Sequence, residues 1–281
     1  MEAVAIVGVG LIGASFGLAL KRAGFQGSII GVSSPGALAE AEAVGAISSS
    51  LPLRDACRIA DVVYLSQTVD RILETLAFLR PYLKSDALVT DAGSIKQAIV
   101  QQAAKCLPDI AFLGGHPLAG KETRGARAAD PALFEGRPYI LTPPLGPPSP
   151  HTHIFRAYLE QMGARIVEIE PEEHDEAAAF TSHLPQLLST ALAATLELAQ
   201  NDNFLRVHGP GLASMTRLAA SSPELWSPIL AGNQPQVLNA LDAFTQRLAL
   251  LREAVLAGDI SDIFRSGQSF AAQLREPSRS G

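Results

Sequence analysis

Cysteine is scarce. Cys57 and Cys106 are the only two in 281 residues, too few for a disulfide framework and in keeping with a reducing compartment. Basic residues are short as well: 22 Lys and Arg stand against 28 Asp and Glu, for a formal net charge of -6. That balance argues against phosphate-backbone binding, which needs clustered cations. A small anionic ligand is still allowed, because a single buried Arg decides that locally. No run is long and apolar enough to span a membrane. The longest greasy stretch, residues 187–199, is broken by Ser189, Thr190, Thr195 and Glu197. Residues 3–20 are apolar too, but Glu2 stands where a signal peptide has its basic lead-in, and glycines interrupt the run. There is no internal repeat. The expectation is a cytoplasmic protein with no nucleic-acid or membrane partner, whose 47% hydrophobic content can fill one large core or two ordinary ones.

The chain changes character near Pro171. Before it, β-branched runs at residues 4–7, 28–32, 62–65, 87–90 and 111–113 read as buried strands. Helical stretches at 11–23, 37–44, 71–79 and 95–105 alternate with them. Such alternation predicts a Rossmann-type, mostly parallel sheet with helices on both faces. Residues 143–150 are proline-rich and read as a long loop, since 152–162 and 164–169 supply one more helix and strand. After Pro171, alanine and leucine dominate 173–199, 211–220 and 236–257, and no strand pattern recurs. These helices are apolar nearly all round and need neighbours or a second subunit to cover them. The expected organisation is therefore α/β: a dinucleotide-binding domain over residues 1–170, then an all-helical domain over 171–281 that forms a homodimer. The polar tail from residue 275, with Pro277, is expected to be disordered.

Gly8-Val9-Gly10-Leu11-Ile12-Gly13 lies between the first strand and the first helix. Gly8 permits the tight turn, Gly10 lets a pyrophosphate approach the backbone, and Gly13 lets helix and strand pack closely. The helix amino terminus, with Leu11 and Ile12, offers free N–H groups and a positive dipole end to the phosphates. A site that prefers NAD usually carries Asp or Glu at the end of the second strand, on the ribose 2′-hydroxyl. Here that place holds Ser33 and Ser34, and no carboxylate appears before Glu40. Two hydroxyls suit a 2′-phosphate, so NADP is favoured over NAD, although no Arg stands beside them in sequence.

Two strand ends carry polar groups where ligands of open α/β sheets bind: Asp91-Ala92-Gly93-Ser94, and Gly114-Gly115-His116-Pro117. Ser94 and His116 should face the nicotinamide. Oxidising an alcohol by hydride transfer needs a proton acceptor, and His is the natural one near neutral pH. By itself, His116 reads equally as a structural turn residue. Glu172-Glu173-His174-Asp175 has the look of a metal cluster, but first-turn helix acids are expected for dipole reasons, and no metal is assigned. His151 and His153 read as exposed loop residues, and His208, before Gly209-Pro210, as a turn residue at the rim of the site.

His116-Pro117-Leu118-Ala119-Gly120-Lys121-Glu122 resembles the His-Pro-Met-Ala-Gly-Ser/Thr-Glu signature of prephenate and arogenate dehydrogenases. Three further stretches resemble that family in the same order. They are Asp91-Ala92-Gly93-Ser94-Ile95-Lys96, Ser182-His183-Leu184-Pro185-Gln186, and Thr216-Arg217-Leu218-Ala219 leading to Pro223-Glu224-Leu225-Trp226. The resemblance implies an amino-terminal Rossmann domain, a helical dimerisation domain, and NAD(P)-dependent oxidative decarboxylation of a cyclohexadienyl substrate in tyrosine biosynthesis. It implies that His116 and Ser94 hold the ring hydroxyl, that His116 accepts its proton, and that Arg217 grips a carboxylate. A guanidinium suits that last task because it pairs bidentately; without the motif, Arg217 would read as a surface cation. Loss of CO2 restores aromaticity within the substrate itself, so the chemistry requires no metal.

The remaining motif residues bear on the substrate. His183, Gln186 and Trp226 belong to stretches that line the family's pocket, though His183 reads either way. Arogenate carries an ammonium where prephenate has a keto group, so an anion near that carbon favours arogenate. Glu224 is the candidate, and by resemblance arogenate-preferring relatives have an acid there. Gln186 adds to this, since prephenate-preferring relatives often have His at the matching place. The competing reading of Glu224 is an ordinary first-turn acid facing solvent. Two other functions share the fold: a 3-hydroxyacid-type dehydrogenase, which resembles its kin in using a helix lysine, and a non-catalytic NADP sensor.

Overall fold

The computed structural model describes residues 1–121 and 123–275. Glu122 of the histidine motif and the tail from residue 276, expected to be disordered, lie outside the described residues. Packing divides the chain into two compact units, Met1–Gln234 and Pro235–Gly281.

In the first unit β1 (Ala3–Val7) leads into α1 (Leu11–Arg22), β2 (Ser28–Val32), α2 (Pro35–Ala43), β3 (Ser49–Ser50), α3 (Leu53–Ile59), β4 (Val62–Leu65), α4 (Val69–Leu79), β5 (Leu88–Asp91), α5 (Gln97–Cys106) and β6 (Ala111–Leu113). The sheet order is β3-β2-β1-β4-β5-β6, and every pairing is parallel. Strands covered by helices on both faces are buried on both, which is why β1 and β4 read as unbroken apolar runs. The chain order reverses between β1 and β4, and the crevice beyond their carboxyl ends is where this topology binds ligands. The sequence pattern missed β3, α3 and, further on, the strand at Pro138–Leu141. β3 is two exposed serines, and α3 has only seven residues, so neither carries a readable period.

A second, three-stranded sheet follows: β7 (Gly115–Pro117), β8 (Pro138–Leu141) and β9 (Arg165–Glu168), with α6 (Pro150–Gln161) before β9. β7 and β8 are antiparallel, while β8 and β9 are parallel. His116 thus sits in the middle of a short strand rather than on the loop after one. Tyr64 of β4 and Tyr139 of β8, both fully buried, join the sheets through their hydroxyls at 3.2 Å. Phe16 of α1 stacks on Tyr64 with ring centroids 4.0 Å apart.

From Pro171 the first unit is helical: α7 (Pro171–Ala178), a π-helical turn (Ala179–His183), α8 (Leu184–Leu198), α9 (Asn203–Arg206), α10 (Pro210–Thr216), a 3-10 turn (Arg217–Ala220) and α11 (Pro223–Gly232). Helices α7, α8, α10 and α11 all have proline at one of their first two positions, where the missing N–H has no helical partner to lose. The second unit holds α12 (Gln234–Ala257), apart from its first residue, and α13 (Ser261–Arg275). Helix α13 was not read from the sequence, where its many polar residues hide the amphipathic spacing. No helix among the described residues is long and apolar enough to cross a membrane.

Candidate active site

The turn after β1 is built as its glycines require. Gly8 has φ +95°, a left-handed conformation that costs glycine little. A Cβ on Gly13 would stand 2.2 Å from the Gly8 carbonyl oxygen, so only glycine lets α1 lie this close to the turn. Beside Gly10 a Cβ would meet nothing within 4 Å, which leaves the open space a pyrophosphate needs. Ser66, after β4, donates its hydroxyl to the Gly8 carbonyl at 2.7 Å and braces the turn from across the switch point. Leu11 and Ile12 open α1 without a side-chain cap, so its first N–H groups stay available to an anion. This cradle fits a dinucleotide. Ser33 and Ser34 are exposed at the end of β2. The structure also brings a cation to α2 that sequence distance concealed: Arg127 pairs with Glu40 at 3.1 Å.

At the end of β5 the buried carboxylate of Asp91 pairs with Lys96, both fully enclosed. Burial lowers the Lys96 pKa, and the charge of Asp91 acts against that. The pair grips a neighbouring backbone: Gly115 N donates to Asp91 Oδ1 at 3.0 Å, and Lys96 Nζ donates to the Gly115 carbonyl at 2.7 Å. A Cβ on Gly115 would lie 2.6 Å from the Asp91 carbonyl oxygen, so glycine is required for this approach. β7 is thereby clamped to β5, and with it the next residue, His116.

The imidazole of His116 is buried. Its Nδ1 lies 2.9 Å from Nε2 of His174, whose Nδ1 lies 2.8 Å from Oδ1 of Asp175. Asp175 also accepts the backbone N–H groups of Lys96 at 2.7 Å and Gln97 at 2.9 Å, capping α5 from another helix. Burial, then the neighbouring His174, Lys96 and His183, hold the His116 pKa well below the ordinary histidine value. Asn233 donates to the Asp175 carbonyl at 2.7 Å and lies 3.3 Å from His183 Nδ1. His183 is itself pushed down to about 4, chiefly by burial. The sequence reading treated residues 172–175 as one acidic first turn. In the structure Glu172 and Glu173 occupy that turn, while His174 and Asp175 turn inward and are buried. The signal was present in the one-residue change from acids to a histidine on the inner face.

A cleft of about 550 Å³ collects some of the expected groups from distant parts of the chain. Its walls include Gly10, Ser94, Arg124, Arg217, Glu224 and Leu225, together with Leu11 and Ile12. Arg217 opens the 3-10 turn after α10, and Ser189 of α8 accepts the Ala219 N–H at 3.1 Å to hold that turn. Gln186, buried, donates to the Leu218 carbonyl at 2.8 Å, so its amide supports the Arg217 turn. Glu224 is both a first-turn acid of α11 and a wall of the cleft. N–H and hydroxyl donors from its own backbone and from Ser222, with Arg124 nearby, lower its pKa. Trp226 meets His183 edge-on, ring centroids 5.9 Å apart, and its buried Nε1 has no hydrogen-bond partner among the described residues. His116, His183, Gln186 and Trp226 are not among the cleft's lining residues, and neither are Ser33 and Ser34.

Three histidine expectations are corrected. His151 is buried in the first turn of α6, not exposed in a loop, because Pro150 starts the helix and Ser149 caps it, and His153 is exposed but on the same helix. His208 is exposed but borders a separate concavity with Leu196, Phe204 and Leu212, away from the cleft.

Comparison with known proteins gives one consistent outcome. The prephenate dehydrogenase nucleotide-binding domain profile matches residues 16–168, and the prephenate dehydrogenase dimerization domain profile matches residues 170–268. The cyclohexadienyl dehydrogenase of Zymomonas mobilis is 34% identical over 210 residues, covering 74% of this chain and 72% of that protein. The crystal structure of prephenate dehydrogenase from Aquifex aeolicus, in complex with hydroxyphenyl propionate and NAD+, superposes with a TM-score of 0.88 at 31% identity and covers 98% of each chain. Synechocystis arogenate dehydrogenase superposes with a TM-score of 0.79 at 30% identity, covering 97% of this chain and 98% of the other.

Proposed function

The chain belongs to the prephenate dehydrogenase family, and from that premise we propose that it oxidises and decarboxylates arogenate to tyrosine in preference to prephenate, with NADP as the favoured cofactor. The observation that carries the reading is the single cleft shared by the glycine turn, Ser94, Arg217 and Glu224. It supports a cofactor and a carboxylate-bearing substrate side by side. Bound at the turn, the oxidised nicotinamide supplies a hydride acceptor. Ser94 and His116 hold the ring hydroxyl, and His116 takes its proton as the hydride leaves the same carbon. The resulting dienone loses its ring carboxylate as CO2. The bonding pair enters the ring, and the phenolate oxygen takes a proton back from His116, so protons and electrons balance.

Arg217 binds a substrate carboxylate in this reading, with Trp226, His183 and Gln186 behind it. Glu224 supplies the anion that an ammonium-bearing side chain prefers, and its lowered pKa keeps it ionised. NADP is supported by the serines at the end of β2 and by the absence of a carboxylate there, with Arg127, paired with Glu40 of α2, as a cation close by.

In this reading the domain boundary is taken between residues 170 and 171, which is supported by the end of the strands at β9 and the start of the helices at Pro171. The working form is a homodimer through the helical half. That form covers side chains such as Leu198, Leu205 and Val207, each more than three-quarters exposed in the single chain. The reading includes a cytoplasmic location and no nucleic-acid or membrane partner. Steady-state kinetics with arogenate and prephenate, each with NAD and NADP, test it: the highest kcat/KM should come from arogenate with NADP. Turnover of prephenate ahead of arogenate overturns the substrate preference, and turnover of neither overturns the activity.

A further inference from the structure

The histidine motif ends at a strand, but the hydrogen bonding does not. His116 Nδ1, His174 Nε2, His174 Nδ1 and Asp175 Oδ1 form one buried chain, with steps of 2.9 and 2.8 Å. The direction of each bond follows from its far end. Asp175 receives N–H groups from Lys96 and Gln97 as well as from His174, and a carboxylate so placed is an acceptor. His174 Nδ1 therefore donates. A neutral imidazole has one N–H only, so His174 Nε2 is left with its lone pair and must accept. The group that the structure sets against it is His116 Nδ1, at 2.9 Å, which then donates. His116 is thereby held as the Nδ1–H tautomer, with the lone pair on Nε2.

We propose that His174, oriented by Asp175, is a positioning residue that sets the tautomer of His116 and so makes its Nε2 the proton-accepting atom. The proposal rests on the reading of His116 as proton acceptor and adds how the fold prepares it. Without an acceptor at Nδ1, a buried histidine could carry its proton on either nitrogen, and the Nε2–H form is useless as a base. Asp175 serves two ends at once: its backbone partners cap α5, and its remaining lone-pair capacity orients His174. As His116 Nε2 takes the substrate hydroxyl proton, the new positive charge sits one hydrogen bond from His174, with the Asp175 carboxylate beyond as counter-charge. When that proton returns to the phenolate, the starting tautomer is restored, and neither His174 nor Asp175 is consumed.

The test uses full-length protein and three variants. His174→Leu removes the acceptor but keeps apolar volume. His174→Gln keeps a carbonyl acceptor where Nε2 stood, and His116→Asn removes the base. Tautomers are read by nitrogen-15 NMR of histidine-labelled protein, with the His116 signals assigned by their loss in His116→Asn. The expected result is an Nδ1–H tautomer at His116 in the wild type, a mixed or reversed one in His174→Leu, and recovery in His174→Gln. In parallel, His174→Leu should lose kcat by about 10²-fold or more, within the range of a lost general base, with substrate KM and cofactor Kd within about twofold of wild type on the same argument. His174→Gln should recover most of that loss. An Nε2–H tautomer in the wild type overturns the proposal, as does a His174→Leu protein that keeps normal kcat or in which KM carries the loss. If His174→Leu does not fold, the wild-type tautomer and His174→Gln decide the matter alone. Near-normal turnover by His116→Asn would instead overturn the assignment of the base, a failure separate from that of the chain behind it.

Discussion

The amide nitrogen of Gly115 donates to Oδ1 of Asp91 at 3.0 Å, and this bond ties the strand carrying His116 to the sheet carrying the glycine turn. Lys96 completes the clamp by neutralising Asp91 and donating to the Gly115 carbonyl. Removing the cation leaves a buried carboxylate uncompensated. Lys96→Met should therefore destabilise the protein by about 3–5 kcal/mol, measured by urea denaturation. A loss below about 1 kcal/mol, the range of an exposed pair, would mean the clamp is not the support described here.

Arg217 opens a 3-10 turn that Gln186 and Ser189 hold in place. Arg217→Ala should raise the substrate KM roughly 10- to 100-fold, the weight of a charge-assisted bond, and leave the cofactor KM nearly unchanged. Equal effects on both constants would assign Arg217 to the cofactor or the fold.

Glu224 faces the cleft from the first turn of α11. Glu224→Gln should lower kcat/KM for arogenate and raise it for prephenate. A shift in their ratio of roughly tenfold corresponds to about 1.4 kcal/mol. Parallel changes for the two substrates would leave Glu224 as a helix-capping acid only.

Ser33→Asp should move the cofactor preference toward NAD, because the new carboxylate accepts from a 2′-hydroxyl and repels a 2′-phosphate. The measured quantity is the NADP-to-NAD ratio of kcat/KM, which should fall. A wild type that already prefers NAD strongly would contradict the NADP preference at its root.

Acid should weaken the fold through its buried histidines. His183 titrates at about 4 when folded and near 6.5 when unfolded. Between those values the unfolded chain binds more protons, so stability falls as pH drops from 6.5 toward 4. His116 shifts in the same direction. The urea midpoint should be lower at pH 5 than at pH 7, and the difference should shrink in His183→Asn. Equal midpoints for the wild type at both pH values would show that burial does not hold these rings neutral.

Much of this protein was determined by the sequence alone, wherever the physics is local. The Gly8, Gly10 and Gly13 spacing specifies its own turn, because backbone conformation excludes a Cβ at Gly8, the close helix approach excludes one at Gly13, and Gly10 leaves the space beside it open. Apolar runs of five and four residues specify β1 and β4, because strands covered on both faces need no polar alternation. The motifs named His116, Ser94, Arg217 and Glu224, although nothing in the spacing of residues 94, 217 and 224 implies a common cleft. Tertiary structure decided the rest. Only packing brings His174 to His116 across 58 positions, which separates the inward His174 and Asp175 from the outward Glu172 and Glu173 of one short helix. Only packing sets Arg127 against α2, and only packing buries Lys96 beside Asp91. Burial converts ordinary polar residues into neutral histidines and an enclosed ion pair. It is a property of the surrounding chain, and no local stretch of sequence contains it.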